Sequence, residues 1–135
     1  MQVREATPPQ HAEVLSILDA AVLQTDSEGT SAAIERGDVF VALPNQDSNG
    51  GQTEAGSPPV LGALVLDGQK ITAVAVRPGR RGQGIGRALV ARAQQSRQRL
   101  VAEFDPRVAP FWRAVGFEAA EQSGAERLTG VWRER

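Results

Sequence analysis

The sequence feature that most constrains the fold is the segment AVAVRPGRRGQGIGRALVARA, which runs from Ala73 to Ala93. It begins as an apolar run typical of a buried strand, and this run breaks at Pro78. It resumes, after a cluster of glycines and arginines, with apolar residues at helical spacing. A strand, a glycine-rich turn and a helix must therefore follow one another directly, which indicates an α/β domain.

The glycines of this segment stand where the helix begins. The first turn of a helix carries backbone N–H groups without intrahelical partners, together with a partial positive charge. Because Gly82, Gly84 and Gly86 have no Cβ, a ligand can approach the bare backbone there. Neighbouring arginines add charge-assisted hydrogen bonds to an anion. The stretch from Arg81 to Gly86 therefore predicts a cradle for a phosphate or pyrophosphate group.

Two better-known phosphate cradles do not fit this spacing. A Walker A loop requires a lysine and a hydroxyl residue after its last glycine, and neither follows Gly84 or Gly86. A dinucleotide fingerprint fails because its third glycine would fall on Arg87 or on Leu89. What remains is Arg-x-x-Gly-x-Gly directly after a strand. A nucleotide-phosphate binder on an unrelated α/β fold, and a helix start with incidental glycines, stay open as alternatives.

Turn residues and apolar periodicity divide the rest of the chain. Thr7 is a suitable N-cap, with Gln10 as its capping-box partner, and Gly37 is a natural helix stop. The polar stretch 44–59 predicts a surface loop between two strands. The predicted order is β-α-α-β-β-β-α-β-α-β-β, with strands at 1–6, 38–43, 60–66, 70–76, 99–104, 117–121 and 126–133 and helices at 8–23, 31–36, 85–98 and 109–115.

Composition excludes several kinds of site. With 135 residues the chain is expected to form one domain, residues 1–135. It has no cysteine and a single histidine, His11, which argues against disulfides, multi-histidine metal sites and a serine protease-like triad. The net charge of −1 does not favour a nucleic-acid binder, whereas seven arginines between Arg77 and Arg99 favour a compact anionic ligand. No signal peptide or membrane span is recognisable, so a cytoplasmic protein without a membrane partner is expected.

The glycine segment and its surroundings resemble the GNAT N-acetyltransferase superfamily. The acyl-CoA loop of that family has the form Arg-x-x-Gly-x-Gly and follows a Val-x-Val-x-Pro strand, here Val74 to Pro78. The later segment PFWRAVGF is similar to the family's Phe-Tyr-x-x-x-Gly-Phe. The resemblance covers nearly the whole chain, with 44–59 as an insertion. It implies an α/β (α+β) fold with a mixed, mostly antiparallel sheet, flanked by about four helices and splayed at an acetyl-CoA cleft.

The resemblance also implies how acetyl-CoA is held. The pantetheine arm runs along the strand edge Val74, Ala75 and Val76, and Ala75 or Val76 presents a backbone group to the thioester. The side chains of Arg80 and Arg87 are candidates for phosphate contacts, and a solvated side chain is the alternative for either. The pyrophosphate is expected on the backbone of Arg81, Gly82, Gln83, Gly84, Ile85 and Gly86.

The chemistry implied by the resemblance is attack of an acceptor amine on the acetyl thioester. Glu103 and Asp105 are the candidate general bases, because strand alternation places both on one face near the cleft. Helix caps or ion pairs are the alternative for both, and Asp105 precedes Pro106 as a turn cap would. Trp112 stands where the family has a tyrosine that protonates the thiolate. An indole N–H donates a hydrogen bond but supplies no proton at neutral pH, so Trp112 either contacts the cofactor arm or is a core aromatic.

The sequence therefore predicts an acetyl-CoA-dependent N-acetyltransferase that acts on a primary amine of a small molecule or a protein. The missing tyrosine keeps a second hypothesis open, a non-catalytic acyl-CoA-binding or regulatory module. No metal is expected. A homodimer is plausible by analogy only.

Overall fold

The structure is a computed structural model that describes residues 2–20, 27–44, 59–77, 79, 82–122 and 128–134. Within these residues seven strands and four α-helices follow one another in the predicted order. Residues 21–26, most of the predicted loop 44–59 and most of the last predicted turn lie outside the described residues. The elements are β1 Gln2–Glu5, α1 His11–Ala20, α2 Ser27–Arg36, β2 Val39–Leu43, β3 Gly62–Asp67, β4 Lys70–Val76, α3 Ile85–Ser96, β5 Arg99–Phe104, α4 Ala109–Ala114, β6 Glu118–Gln122 and β7 Leu128–Arg133.

All seven strands form one sheet in the order β1-β2-β3-β4-β5-β7-β6. Neighbouring strands are antiparallel except β4 and β5, which are parallel and joined by the crossover through α3. This confirms the mixed, mostly antiparallel sheet with helices on its faces. No helix of the described residues is long and apolar enough to cross a membrane.

The first two helices begin at other residues than the sequence predicted. Pro8–Gln10 forms a 3-10 turn, and α1 starts only at His11. Pro8 and Pro9 supply no N–H donors, and the turn closes when Gln10 N–H donates to the Thr7 carbonyl at 2.9 Å. Gln10 in turn accepts from Thr7 N–H, the capping contact expected of this pair. Helix α2 begins four residues early, at Ser27, because buried Thr30 lies on the same face as Ala33 and Ile34.

Apolar side chains form one core on each face of the sheet. The face covered by α1 and α2, called the α1 face, buries Val14, Ile17 and Leu18 of α1. The face covered by α3 and α4, the α3 face, buries Ile85 and Leu89 together with Val90, which the sequence interpretation did not include. Helix α3 lies close to the sheet because β3 begins with a glycine. A Cβ on Gly62 would lie 2.9 Å from the Ala75 carbonyl oxygen and 3.0 Å from Ile85 Cγ2.

A β-bulge interrupts β4 at Thr72. Val65 pairs with Ala73 and Leu66 with Ile71, so Thr72 is left without an opposite residue on β3. The Thr72 hydroxyl donates to the Val65 carbonyl at 3.2 Å. Because of the extra residue, side chains after Thr72 point to the opposite face from the one that uninterrupted alternation would give them. Ile71, Val74 and Val76 therefore contact the core on the α3 face, whereas Ala73 and Ala75 are buried on the α1 face.

Candidate active site where two parallel strands separate

The site is a cleft between the parallel strands β4 and β5. The two strands pair only where β4 begins, Lys70 with Val101 and Ile71 with Ala102 in the middle of β5. Val101 N–H also donates to the Gln69 carbonyl at 2.9 Å. Beyond Ile71, β4 pairs with β3 and β5 pairs with β7, and the two strands no longer pair with each other. The sheet is therefore splayed at the place that the resemblance implied.

A cavity of about 210 Å³ lies in the separated part of the cleft. Its wall is apolar where β4 and the aromatic side chains line it, and it carries carboxylates where β5 ends. The cavity thus joins a hydrophobic wall to acidic groups, a combination typical of small-molecule sites. The lining residues are Ile71, Thr72, Ala73, Val74, Glu103, Phe104, Asp105, Val108 and Trp112.

The edge of β4 that faces the cleft exposes peptide groups of alternate residues. Arg77 N–H donates to the Leu61 carbonyl at 2.9 Å across the β3–β4 ladder. Because peptide groups alternate in direction along a strand, Ala75 also bonds towards β3, whereas Val74 and Val76 point to the open edge. Of the three residues predicted to line the pantetheine arm, Val74 and Val76 therefore present N–H and C=O groups to the cleft, and Ala75 does not.

The glycine turn before α3 has the conformation that requires glycine. Gly82 has φ 80° and Gly84 has φ 81°, in the left-handed region that L residues other than asparagine and aspartate rarely adopt. A Cβ at either position would meet nothing within 4 Å, so the space over the turn is open. Gly84 is the N-cap of α3, and its carbonyl accepts from Ala88 N–H at 3.0 Å. Pro78, Arg80 and Arg81 lie outside the described residues.

The third glycine of the motif has a different environment from the first two. A Cβ on Gly86 would lie 3.4 Å from Cε1 of Phe111, so this position faces the aromatic side chains of α4 and not open space. The sequence interpretation assigned all three glycines to ligand access, and the structure gives that geometry to Gly82 and Gly84. Gln83 and Arg87 are exposed beside the turn, and the buried side chain of Ile85 holds the first turn of α3 on the sheet. The amides of Ile85, Gly86 and Arg87 belong to the first helical turn, which leaves them without intrahelical acceptors.

The two predicted carboxylates both line the cavity, in different settings. Glu103 lies on the α1 face of β5, and its Oε1 is 3.2 Å from Lys70 Nζ. Asp105 follows the strand and caps the 3-10 turn Pro106–Val108, accepting from Arg107 N–H at 2.8 Å. The Arg107 guanidinium also contacts both carboxylate oxygens of Asp105, and this hydrogen bond and charge raise the pKa of Arg107 above its ordinary value. The turn-capping alternative for Asp105 is thus what the structure shows, while its role in catalysis stays a prediction.

Trp112 is at once a core residue and part of the cavity wall. Its side chain is 7% exposed and stacks on Phe104, with ring centroids 5.5 Å apart. Phe111 and Phe117 approach it edge-on, with centroid distances of 5.2 and 5.0 Å. The tryptophan that replaces the expected tyrosine is therefore fixed in an aromatic cluster that reaches from α4 to the end of β5.

Sequence reasoning missed the lining residues Ile71, Thr72, Ala73, Phe104 and Val108. Thr72 reaches the cleft because of the bulge, which has no signal in the mostly apolar run KITAVAV. Phe104 ends a strand whose alternation was recognised, so its position on the buried face was available from the pattern. Among the residues that the structure describes, no group of three or more His, Asp or Glu side chains is arranged to hold a metal ion.

Comparisons with known proteins agree on the fold. A family model described as "Acetyltransferase (GNAT) domain" matches residues 35–119. No sequence among the curated proteins matches the chain. Similar solved structures include a Mycobacterium tuberculosis protein in complex with CoA, with a TM-score of 0.78 and 17% identity over 100% of both chains.

Two further structures cover almost the same length. A GNAT-family acetyltransferase of Bacillus cereus has a TM-score of 0.76 and 13% identity over 99% of this chain and 97% of its own. The PaiA N-acetyltransferase of Thermoplasma acidophilum, solved in complex with coenzyme A, has a TM-score of 0.69 and 12% identity over 98% of both chains. At such identities the structural similarity establishes the fold and nothing about the substrate.

Proposed function

Because the chain belongs to the GNAT acetyltransferase family, we propose that it transfers the acetyl group of acetyl-CoA to a primary amine of a small molecule or a protein. Acetyl transfer and the donor acetyl-CoA follow from the family. The amine acceptor is the proposal. The observation that carries it is the separation of β4 from β5, which opens a cavity between the two strands.

The described residues fit the donor. The pyrophosphate binds on the amides of Gly82, Gln83, Gly84, Ile85 and Gly86, where the backbone is open and the helix terminus is positive. Arg87 and, outside the described residues, Arg80 are the proposed cationic partners. The pantetheine arm bonds to the peptide groups of Val74 and Val76 as an added strand would.

In the reaction, the neutral amine nitrogen attacks the acetyl carbonyl carbon, a C–N bond forms, and the C–S bond breaks to release CoA as the thiolate. A backbone N–H at the open edge of β4 stabilises the developing oxyanion. An acceptor amine with a pKa near 10.4 is protonated at pH 7, and removing that proton costs about 4–5 kcal/mol. A general base in the cleft would therefore accept this proton from the amine.

Glu103 is our choice for that base. Asp105 receives three hydrogen bonds from Arg107 and closes a turn, so its carboxylate has a structural function. Glu103 Oε1 forms an exposed ion pair with Lys70 Nζ, at 3.2 Å, and exposed ion pairs stabilise a fold only slightly. The side chain lines the cavity. It takes the proton of the amine directly or through one water.

Trp112 supports the second candidate function, a binding module without turnover. Its indole cannot protonate the thiolate, and the ring is fixed in the aromatic cluster. The enzymatic proposal survives this because a thiol pKa near 8.5 lets the thiolate leave without a dedicated acid. A cytoplasmic location and a homodimer stay predictions.

The test combines calorimetry with CoA and a thiol-release assay with acetyl-CoA across a panel of small amines, amino acids and peptides. Enzymatic function predicts that CoA binds and that at least one amine accelerates thiol release, with an acetylated product seen by mass spectrometry. Tight binding with no product on any amine supports the module. Absence of CoA binding contradicts both.

A further inference from the structure

Three chain segments meet in one cluster of hydrogen bonds at the open end of β4. Glu13 belongs to α1, Val60 lies two residues before β3, and Arg77 follows the last residue of β4. Glu13 Oε2 accepts from Val60 N–H at 3.0 Å and from Arg77 Nη2 at 3.1 Å. Arg77 Nε donates to the Val60 carbonyl. The three residues, called the β4-end cluster below, are separated by up to 64 positions in the sequence.

The cluster satisfies a buried backbone. Val60 is fully buried, and its N–H and C=O are bonded by the side chains of Glu13 and Arg77. Arg77 is held a second time through its own backbone, since its N–H donates to the Leu61 carbonyl. Both side chains of the ion pair are about 40% exposed, so attraction between the charges alone stabilises little. The cluster instead fixes the position of the end of β4 relative to α1 and to the segment before β3.

The end of β4 that this cluster holds lies directly before the glycine turn. Arg77 directly follows Val76, whose peptide groups face the cleft, and it is five positions before Gly82. Its guanidinium is turned towards α1 and the start of β3. The guanidinium donates hydrogen bonds to Val60 and Glu13, so it is bonded to the protein and not directed at the space over the turn. Displacement of Arg77 would move the end of β4 relative to α3, and with it both parts of the proposed donor site.

We propose that Arg77, held by Glu13, is a positioning residue that fixes the end of β4 for acetyl-CoA binding and so links helix α1 to the donor site. This inference rests on the proposed function. The side chain acts through the backbone of Val60 and Val76 and makes no contact with the donor. Preorganised sites lose affinity when the elements that carry them are free to move.

Two variants separate positioning from simple charge. Glu13→Ala removes a negative charge near an anion site, so a field effect alone would strengthen CoA binding. Positioning predicts the opposite, a CoA affinity lower by about tenfold. Arg77→Lys keeps the positive charge, but one ammonium cannot replace two arms of a guanidinium that bond different partners. Positioning therefore predicts that Arg77→Lys also weakens CoA binding, whereas a charge effect predicts no change.

The control is a matched ion pair at the other end of the sheet. Arg36 Nε lies 3.0 Å from Asp38 Oδ2 beside the start of β2, where Arg36→Ala removes an Arg–carboxylate contact that does not involve β4 or the glycine turn. CoA affinity by calorimetry and thermal midpoint are measured for the wild type and the three variants. A purely structural role predicts lower thermal midpoints for Glu13→Ala and Arg77→Lys. It also predicts that these two variants bind CoA as tightly as Arg36→Ala does, when all three are measured well below their thermal midpoints.

The outcomes distinguish this inference from the function on which it rests. The positioning role is supported if the wild type binds CoA, Glu13→Ala and Arg77→Lys bind it about tenfold more weakly, and Arg36→Ala keeps the wild-type affinity. Wild-type affinity in Glu13→Ala and Arg77→Lys overturns the positioning role and leaves the proposed function intact. A wild type that does not bind CoA overturns the proposed function and the inference together.

Discussion

The two ends of the β4–β5 boundary are built differently from the same pair of strands. At the closed end, Lys70 and Ile71 pair with β5, and side chains brace the contact. Arg97 Nε donates to the Gly68 carbonyl at 3.0 Å, and Arg99 Nη1 donates to Gln69 Oε1 at 3.2 Å. At the open end the facing edges of β4 and β5 do not pair with each other, and they border a cavity.

The difference shows where a continuous sheet gives way to a binding cleft. The change falls at Thr72, where one extra residue reverses the faces of β4, and at Pro106, where β5 has ended and a 3-10 turn begins. Glu103 lies between the two ends, because it lines the cavity and is tied to Lys70 at the closed end. Closed-end side chains should therefore have little influence on donor binding, whereas open-end residues should affect donor binding and turnover.

The largest effect is expected for Gly84→Asp at the open end. Aspartate tolerates the left-handed conformation and is a good N-cap, so the fold should persist. The carboxylate would stand where the pyrophosphate is proposed, and CoA binding should fall below detection in calorimetry. Gly84→Asn is the neutral control of the same shape and should bind far better. Equal CoA affinities for Gly84→Asp and the wild type would remove the turn from the donor site.

The next effect concerns the wall of the cavity. Trp112→Ala removes a buried ring that contacts Phe104, Phe111 and Phe117, so the free energy of unfolding should fall by about 3–5 kcal/mol. Urea denaturation measures it, and Trp112→Phe, which keeps an aromatic ring, should lose clearly less. A loss below about 1 kcal/mol for Trp112→Ala would mean that the cluster does not support the open end, because buried aromatic truncations rarely cost so little.

Glu103→Gln should separate chemistry from binding. If Glu103 is the base, turnover with the best amine should fall by about 100-fold or more, while CoA affinity changes little. Asp105→Asn is the matched comparison, because its carboxylate has a structural partner in Arg107. Turnover that drops equally in both variants, or only in Asp105→Asn, would contradict the assignment of the base.

The smallest effect is expected at the closed end. Lys70→Ala removes an exposed ion pair, and the free energy of unfolding should change by about 1 kcal/mol or less. CoA affinity should stay at the wild-type value, since the backbone pairing of Lys70 with Val101 does not need the side chain. A large loss of CoA affinity in Lys70→Ala would mean that the two ends are not independent.

Local chemistry made the element order and the glycine turn predictable. Gly82 and Gly84 adopt positive φ values that glycine permits, so the turn can be recognised one residue at a time, and apolar spacing identifies α3 from Ile85 onward. The family resemblance supplied the splay of the sheet, which spacing alone does not give. Its place was confirmed, because the strand before the turn and the strand after α3 do separate.

Features that depend on distant contacts were not predictable. The bulge at Thr72 arises from the register with β3, and the run KITAVAV that contains it carries no glycine or proline to mark it. Gly86 looks like its neighbours in the motif, but it lacks the positive φ of Gly82 and Gly84 and faces Phe111. The bond between Glu13 and Arg77 joins residues that no local pattern connects.

The most direct test of the contrast between the two ends is an amide NMR titration of the ¹⁵N-labelled protein with CoA. The account predicts that the largest shifts fall on Gly82, Gly84 and Val76 at the open end, while Val101 and Ala102 at the closed end move little. Saturable binding with the largest shifts at Val101 and Ala102, or no shift at the glycine turn, would contradict it.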